Sequence, residues 1–342
     1  MNMRILGAAA AFVGLALSTQ PVAAQATLEA VKNRGAVLCG SHQGNPGFSY
    51  PDKDGVWRGL DVEICRAVAA ATLGDAKAVR FVPLSPQQRI VAVQTGEVDI
   101  MSRTTTWTLR RDAGSGVNFT VPVFFDYTAF MVPKALGVSS PKQLDGASIC
   151  VTSGTIAETF VADYAKKTGI QLKPILFDRN DAARAAYFAG RCDTLSTDAS
   201  SLAAVRASTA QNPDDHVIIP ATSRLEALAP AVRHGDDQWL DIVRWTIFAL
   251  FAAEDLGITQ ANVDDIARTS QDPDIRRFLG VDPGNGKALG LDERWAYNIV
   301  KQVGNYAEIY DRNVGPRTPL KLERGVNRLA KDGGLMTPLT FN

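Results

Sequence analysis

The stretch Glu97-Val98-Asp99-Ile100-Met101-Ser102-Arg103-Thr104-Thr105-Thr106-Trp107-Thr108-Leu109-Arg110-Arg111-Asp112 decides how this chain is read. Its apolar opening, Val98 to Met101, reads as the end of a buried strand. Three threonines and a tryptophan follow, and Arg110 and Arg111 stand where the first turn of a helix is expected. Hydroxyls, free backbone N–H groups and a guanidinium then meet at the carboxyl end of a strand. In open α/β sheets ligands bind there, and such groups suit an anion, a carboxylate above all. The same residues also describe a Thr-rich turn with solvated arginines, because polar turns are common.

The flanking sequence repeats the pattern. Leu28 to Arg34 reads as a short helix and Ala36 to Cys39 as a first strand, which runs into the polar loop Ser41-His42-Gln43-Gly44-Asn45-Pro46. Apolar residues at 60, 64, 67, 68 and 71 fall at helical spacing, with Gly74 as the C′ residue. Val79 to Val82 is a strand, Gln87 to Gln94 a helix, and Tyr127 to Val132 a further strand. The order β-α-β-α-β begins a doubly wound sheet. It then starts again: strand Ser148 to Val151, helix Ile156 to Lys167, strand Gln171 to Phe177. A helix Asp181 to Ala189 capped by Asn180, strand Cys192 to Ser196 and strand Val217 to Ile219 complete it. Two α/β lobes with polar strand-end loops imply a cleft between them. Downstream, Gln238 to Glu254 is a strongly amphipathic helix. Shorter helical patterns follow at Gln271 to Gly280, Leu291 to Gly304 and Arg317 to Ala330.

Residues 1–26 have the form of a cleaved leader: Arg4, an apolar run from Ile5 to Leu17, and Ala24-Gln25-Ala26. The chain is thus expected to be exported, and no later segment has the roughly 18 apolar residues of a membrane span. Lys+Arg and Asp+Glu are equal at 36, with no charge block, which argues against nucleic acid. Cys39, Cys65, Cys150 and Cys192 in an exported chain suggest disulfides. They allow three connectivities. One pair in each βα pattern favours Cys39–Cys65 and Cys150–Cys192. With no C-x-x-C motif, and with His42, His216 and His234 lacking metal-ligand spacing, neither metal nor cofactor is expected.

Several stretches together resemble the periplasmic amino-acid-binding proteins, the solute-binding subunits of ABC importers for polar or general L-amino acids. They are Gly59-Leu60-Asp61-Val62-Glu63-Ile64, Gly96-Glu97-Val98-Asp99, the Thr-rich run to Arg111-Asp112, Asn118-Phe119-Thr120, Gly154-Thr155, and Gly190-Arg191-Cys192-Asp193 followed by Asp198. The paired cysteines, Gly235-Asp236-Asp237-Gln238-Trp239 and the long C-terminal extension resemble the larger general and glutamate/glutamine/aspartate/asparagine branch. The resemblance implies an α/β, two-lobed periplasmic-binding-protein fold, each lobe a doubly wound sheet, joined by two crossing strands. Lobe 1 would comprise residues 27–132 and 223–342 with the C-terminal helical extension, and lobe 2 residues 133–222.

It further implies that Arg111 binds the α-carboxylate of a free L-amino acid, helped by Thr104 and Thr106, with Thr152 and Thr155 approaching from lobe 2. Asp198 would bind the α-ammonium, and His42, Gln43 and Asn45 would face the ligand side chain. The chemistry is consistent: a guanidinium fork matches a carboxylate bidentately, and an acceptor-only carboxylate suits an ammonium. Asp198 could instead be only an N-cap. The implied protein is a periplasmic monomer that passes its ligand to a membrane permease and is not an enzyme. Two rivals remain: an enzyme on the same scaffold, similar to cyclohexadienyl dehydratases with His42 as acid or base, and a ligand-sensing receptor module.

Overall fold

The computed structural model describes residues 27–341; the expected leader, residues 1–26, lies outside the described residues. Strand Val37–His42 pairs in parallel with Val79–Leu84 on one side and with Ile100–Met101 on the other. Ala231–Arg233 then adds antiparallel, followed by Val117–Phe119. The second five-stranded sheet has the same plan: Lys173–Phe177, Ser148–Thr152 and Thr194–Asp198 run parallel, then Thr128–Pro133 adds antiparallel, then His216–Pro220. In each sheet the antiparallel strand adjoins a passage of the chain between lobes. The fold is mixed α/β in two lobes.

Pairing corrects the expected lobe boundary. Thr128–Pro133 hydrogen-bonds to Thr194–Asp198 and His216–Pro220, so it belongs to the second sheet and not, as the resemblance implies for residues up to 132, to lobe 1. The first passage therefore lies at Phe124–Asp126, which pairs antiparallel with Glu226–Leu228 on the return. These two crossing strands form a two-stranded ribbon between the sheets.

The first lobe is built around helix Leu60–Leu73, which starts at Gly59 and ends at the left-handed Gly74. Gly59 has φ 121°, and a Cβ there would stand 2.2 Å from the Phe48 carbonyl, so only glycine lets the two backbones approach. The helix buries Leu60, Ile64, Cys65, Ala67 and Val68 against helix Asp237–Asp255, whose buried face includes Trp239, Ile242, Val243, Ile247 and Leu250. Each such aliphatic side chain stabilises by about 1.5–3 kcal/mol on burial. The Trp239 indole N–H donates to the Asp99 carbonyl (2.8 Å), which makes this tryptophan core and not site. Trp245 packs on Phe248 and Phe341, and Trp107 stacks on Phe119.

C-terminal helices Trp295–Val303 and Tyr306–Asn313 complete the same core. No α-helix forms over Arg317 to Ala330, where the chain makes short 3-10 turns at Gly325–Asn327 and Ala330–Asp332. Asn180 is the first residue of helix Asn180–Phe188 and not its cap, a position held by Arg179 with no capping bond. Disulfides Cys39–Cys65 and Cys150–Cys192 lie one in each lobe. No helix of the described residues is long and apolar enough to cross a membrane.

Candidate functional site

The carboxyl ends of strands Val37–His42, Ile100–Met101, Ser148–Thr152 and Thr194–Asp198 face a cleft between the lobes. Its cavity is lined by His42, Arg89, Arg103, Thr104, Thr106 and Arg111 from one lobe. Thr155, Ile156, Asn180, Thr197, Asp198 and Ser201 line it from the other. Six of the nine candidate residues are therefore brought together: Arg111, Asp198, Thr104, Thr106, Thr155 and His42. Gln43, Asn45 and Thr152 are not among the lining residues. Asn45 instead donates from Nδ2 to Ser201 Oγ across the cleft (3.0 Å), and the Thr152 carbonyl accepts from the Thr155 hydroxyl (2.6 Å).

Local caps set the arginine. Thr108 is the N-cap of helix Leu109–Gly114 and accepts from the Arg111 backbone N–H. The Arg111 guanidinium then folds back, donating to the Thr106 carbonyl (2.9 Å) and to the Gly154 carbonyl of the opposite lobe (3.2 Å). Arg89 donates to the same Gly154 carbonyl (3.3 Å) and to Thr105 Oγ1 (3.2 Å). Gly154, at φ 75°, is in the left-handed region that presents this carbonyl. Behind it Thr155 caps helix Ile156–Thr168.

Thr106 directs its hydroxyl to Glu226 (3.0 Å), which also accepts from Thr128. Its donor is thus engaged by the crossing strand, and its contribution to the cavity comes through the carbonyl that holds Arg111. Thr104 has φ 37°, a conformation unusual for a β-branched residue. Its backbone N–H donates to buried Asp61 (3.0 Å), which also accepts from Ser102. Strain of this kind gathers at ligand sites.

Asp198 is half-buried at the start of helix Ala199–Thr209. Although it is the N-cap residue, its side chain makes no capping hydrogen bond. Burial, with Asp126 and Glu226 nearby, holds its carboxyl well above the usual carboxylate range against the pull of Arg89 and Arg111. His42 is buried and accepts at Nδ1 from the Gly44 backbone N–H (2.9 Å). Burial, then Arg103, Arg184 and Arg89, push its pKa well down, so the ring is neutral.

Sequence reading missed Arg89, Arg103, Asn180 and Ser201. Arg89 and Arg103 are 4% and 3% exposed, an unusual state for arginine that no local pattern announces. Asn45 Oδ1, Arg89 Nε, Arg103 Nη2 and Asn180 Oδ1 are buried without a hydrogen-bond partner in the chain. Such orphaned groups beside one cavity are what a polar ligand would satisfy. Among the described residues no cluster of His, Cys, Asp and Glu could hold a metal ion.

Burial raises Asp61 to about 7. Its folded-state value thus lies above its unfolded one, so its contribution to stability is complete below about pH 4 and is lost as pH rises through 7. Asp61→Asn should remove that slope. Denaturant melts should show the parent losing on the order of 2–3 kcal/mol relative to the variant between about pH 5 and about pH 8. A parent-to-variant difference that does not change with pH would refute this.

Residues 37–260 match the family described as bacterial extracellular solute-binding proteins, family 3. The chain belongs to this family. The general L-amino acid-binding periplasmic protein AapJ of Rhizobium johnstonii is 47% identical, covering 98% of this chain and 98% of its own. The glutamate/glutamine/aspartate/asparagine-binding protein BztA of Rhodobacter capsulatus is 45% identical, covering 95% and 96%. A structure of a periplasmic binding protein from Brucella ovis with glutathione bound superposes with a TM-score of 0.90 at 45% identity, covering 93% and 99%. These relatives are binding proteins and not enzymes, so the dehydratase reading of His42 is not favoured. Family membership makes the chain an amino-acid ABC transporter solute-binding protein.

Proposed function

We propose that this protein captures a free L-amino acid between its lobes in the periplasm, as a monomer, and delivers it to the membrane permease of an ABC importer. The reading rests on Asp198, an N-cap residue whose carboxylate is left free of capping and lies within the field of Arg111 from the other lobe. An α-ammonium arriving at Asp198 would restore its charge, and an α-carboxylate would take the Arg111 fork. Each lobe thus holds one charge of the zwitterion, and the ligand bridges them. Lobe closure then selects the bound form, because only the closed cleft supplies both contacts. The leader at residues 1–26 supports the periplasmic assignment. The names of AapJ and BztA agree with an amino-acid ligand.

The test is a thermal-shift panel of the common L-amino acids together with α-carboxamide forms of those that bind. A ligand at 100 times its Kd stabilises by about 2.7 kcal/mol. At least one amino acid should raise the melting temperature, and its α-amide should not. The reading fails if no amino acid shifts the transition, or if the amide shifts it equally.

A further inference from the structure

The two-stranded ribbon between the sheets is held to lobe 1 along both of its edges. On the return strand, the Ala227 carbonyl accepts from the Trp107 backbone N–H (2.8 Å). Among the described residues, the outer edge of Phe124–Asp126 meets no strand. There the Phe125 N–H donates to Asn327 Oδ1 (2.6 Å), and the Phe125 carbonyl accepts from Asn327 Nδ2 (3.1 Å). One side-chain amide thus offers the strand the acceptor and the donor of a peptide group, and stands in for a third strand. The Tyr306 hydroxyl adds a bond to the Val123 carbonyl, just ahead of the ribbon (2.7 Å).

Asn327 is itself fixed. It is 5% exposed, and its own carbonyl accepts from Arg324 Nη2 (2.9 Å). Arg324 pairs through two nitrogens with Glu254, near the end of helix Asp237–Asp255 (2.6 and 3.1 Å), and its guanidinium lies 5.2 Å from the Tyr306 ring centroid. The course of the C-terminal extension over Arg317 to Ala330, which forms no α-helix, therefore lays Asn327 against the first crossing strand.

Past Asp126 the bonding changes lobe. The Tyr127 carbonyl accepts from the Ala199 N–H (2.9 Å) and the Thr128 carbonyl from the Ala221 N–H (3.2 Å). Outbound, the chain passes from one lobe to the other at a single peptide, Asp126–Tyr127. On the return it has no strand pairing from Thr222 to Leu225, and Ser223 to Leu225 are exposed. Side chains span this pivot: Asp126 accepts from the Ser200 N–H, and Glu226 from the Thr128 hydroxyl.

We propose that Asn327 is a positioning residue for lobe closure. Acting through Phe125, it makes the ribbon part of lobe 1 and confines bending to Asp126–Tyr127 and Thr222–Leu225. This rests on the lobe-closure part of the reading above. Without Asn327, Phe124–Asp126 is loose in the open form, whereas the bound form stays fixed by the contacts of both lobes. The unliganded population then spreads to wider openings, and the fraction competent to bind falls.

The experiment compares the mature parent with Asn327→Leu, Asn327→Asp and Phe341→Ala. Phe341 packs on Trp245 and Phe278 in the same extension, so its removal lowers stability without touching the hinge. Three quantities are read: the unliganded radius of gyration by small-angle X-ray scattering, hydrogen exchange at the Phe125 amide, and calorimetric affinity for L-glutamine as probe. Asn327→Leu should enlarge the unliganded radius, speed exchange at Phe125 at least about tenfold and weaken binding roughly tenfold. That factor is equivalent to about 1.4 kcal/mol, the scale of the backbone freedom one residue loses when it is fixed. Asn327→Asp keeps the acceptor for the Phe125 N–H and loses the donor, so its exchange should stay slow while radius and affinity shift in the same direction by less. Phe341→Ala should lower the melting temperature and leave all three where the parent has them. A folded Asn327→Leu protein with the parent's radius and an affinity within twofold overturns the inference, as does a Phe341→Ala protein that matches its shifts. If Asn327→Leu does not fold, Asn327→Asp decides by the same radius. If L-glutamine does not bind the parent, the radius and the exchange, which need no ligand, decide the clamp separately from the amino-acid reading.

Discussion

Replacing Arg111 with alanine should weaken binding of the preferred amino acid by roughly two to three and a half orders of magnitude. Removing one member of a desolvated charge pair strands the other and costs about 3–5 kcal/mol, and about 1.4 kcal/mol is tenfold. The guanidinium also joins the lobes through Gly154, so the variant loses a closure contact along with the ligand contact. Arg111→Lys should lose much of the affinity, since an ammonium cannot reach the Thr106 carbonyl, the Gly154 carbonyl and both ligand oxygens together. Asp198→Asn should behave like Arg111→Ala. Arg110 is exposed, and Arg110→Ala should be nearly neutral. Calorimetry on folded variants reads these effects. A folded Arg111→Ala protein that binds within tenfold of the parent ends the assignment.

The second large effect is on stability. Cys39–Cys65 and Cys150–Cys192 close segments with sequence separations of 26 and 42. Chain entropy gives each about 3–4 kcal/mol. Each also ties down a strand that bears on the cleft. Cys39 precedes His42 on its strand, with Cys65 on the helix that carries Asp61; Cys150 precedes Thr152, with Cys192 just ahead of the strand ending at Asp198. The double Cys→Ala variant of either pair should lower the melting temperature by on the order of 10 °C. The two pairs sit in different lobes and should act additively. Differential scanning calorimetry decides this, and a pair whose removal moves the transition by only a degree or two is not structural.

Part of the site could be read locally and part could not. Arg111 follows a strand, a polar turn and a capping threonine within one short segment, and Asp198 ends a strand at a helix start. Arg111 is therefore marked by its immediate neighbours, whereas Asp198 stands out only through the family resemblance. Arg89 has no such mark. It opens the short helix Arg89–Gln94 and would pass for a solvated residue, yet it is buried because Thr105 and Gly154 converge on it. Arg184 is equally unmarked until the fold brings Gly44 to it. Gln43, on the same loop as His42, is not among the residues that line the cavity.

Local pattern and composition were enough, by themselves, to bring out the repeated strand-helix order, a leader-like opening, one pair of cysteines in each βα pattern and the polar strand-end segment that carries Arg111. Each depends on periodicity, capping or residue class over a few neighbouring positions. Tertiary structure alone assigned Thr128–Pro133 to the second sheet and formed the strands Val117–Phe119 and Ala231–Arg233, three residues each. Strands so short carry no readable alternation, and their pairing partners lie more than a hundred residues away. The convergence of Arg89, Arg103 and Arg111 on one cavity is likewise a product of long-range contacts, since only two lobes together enclose them and exclude the water that would otherwise solvate them.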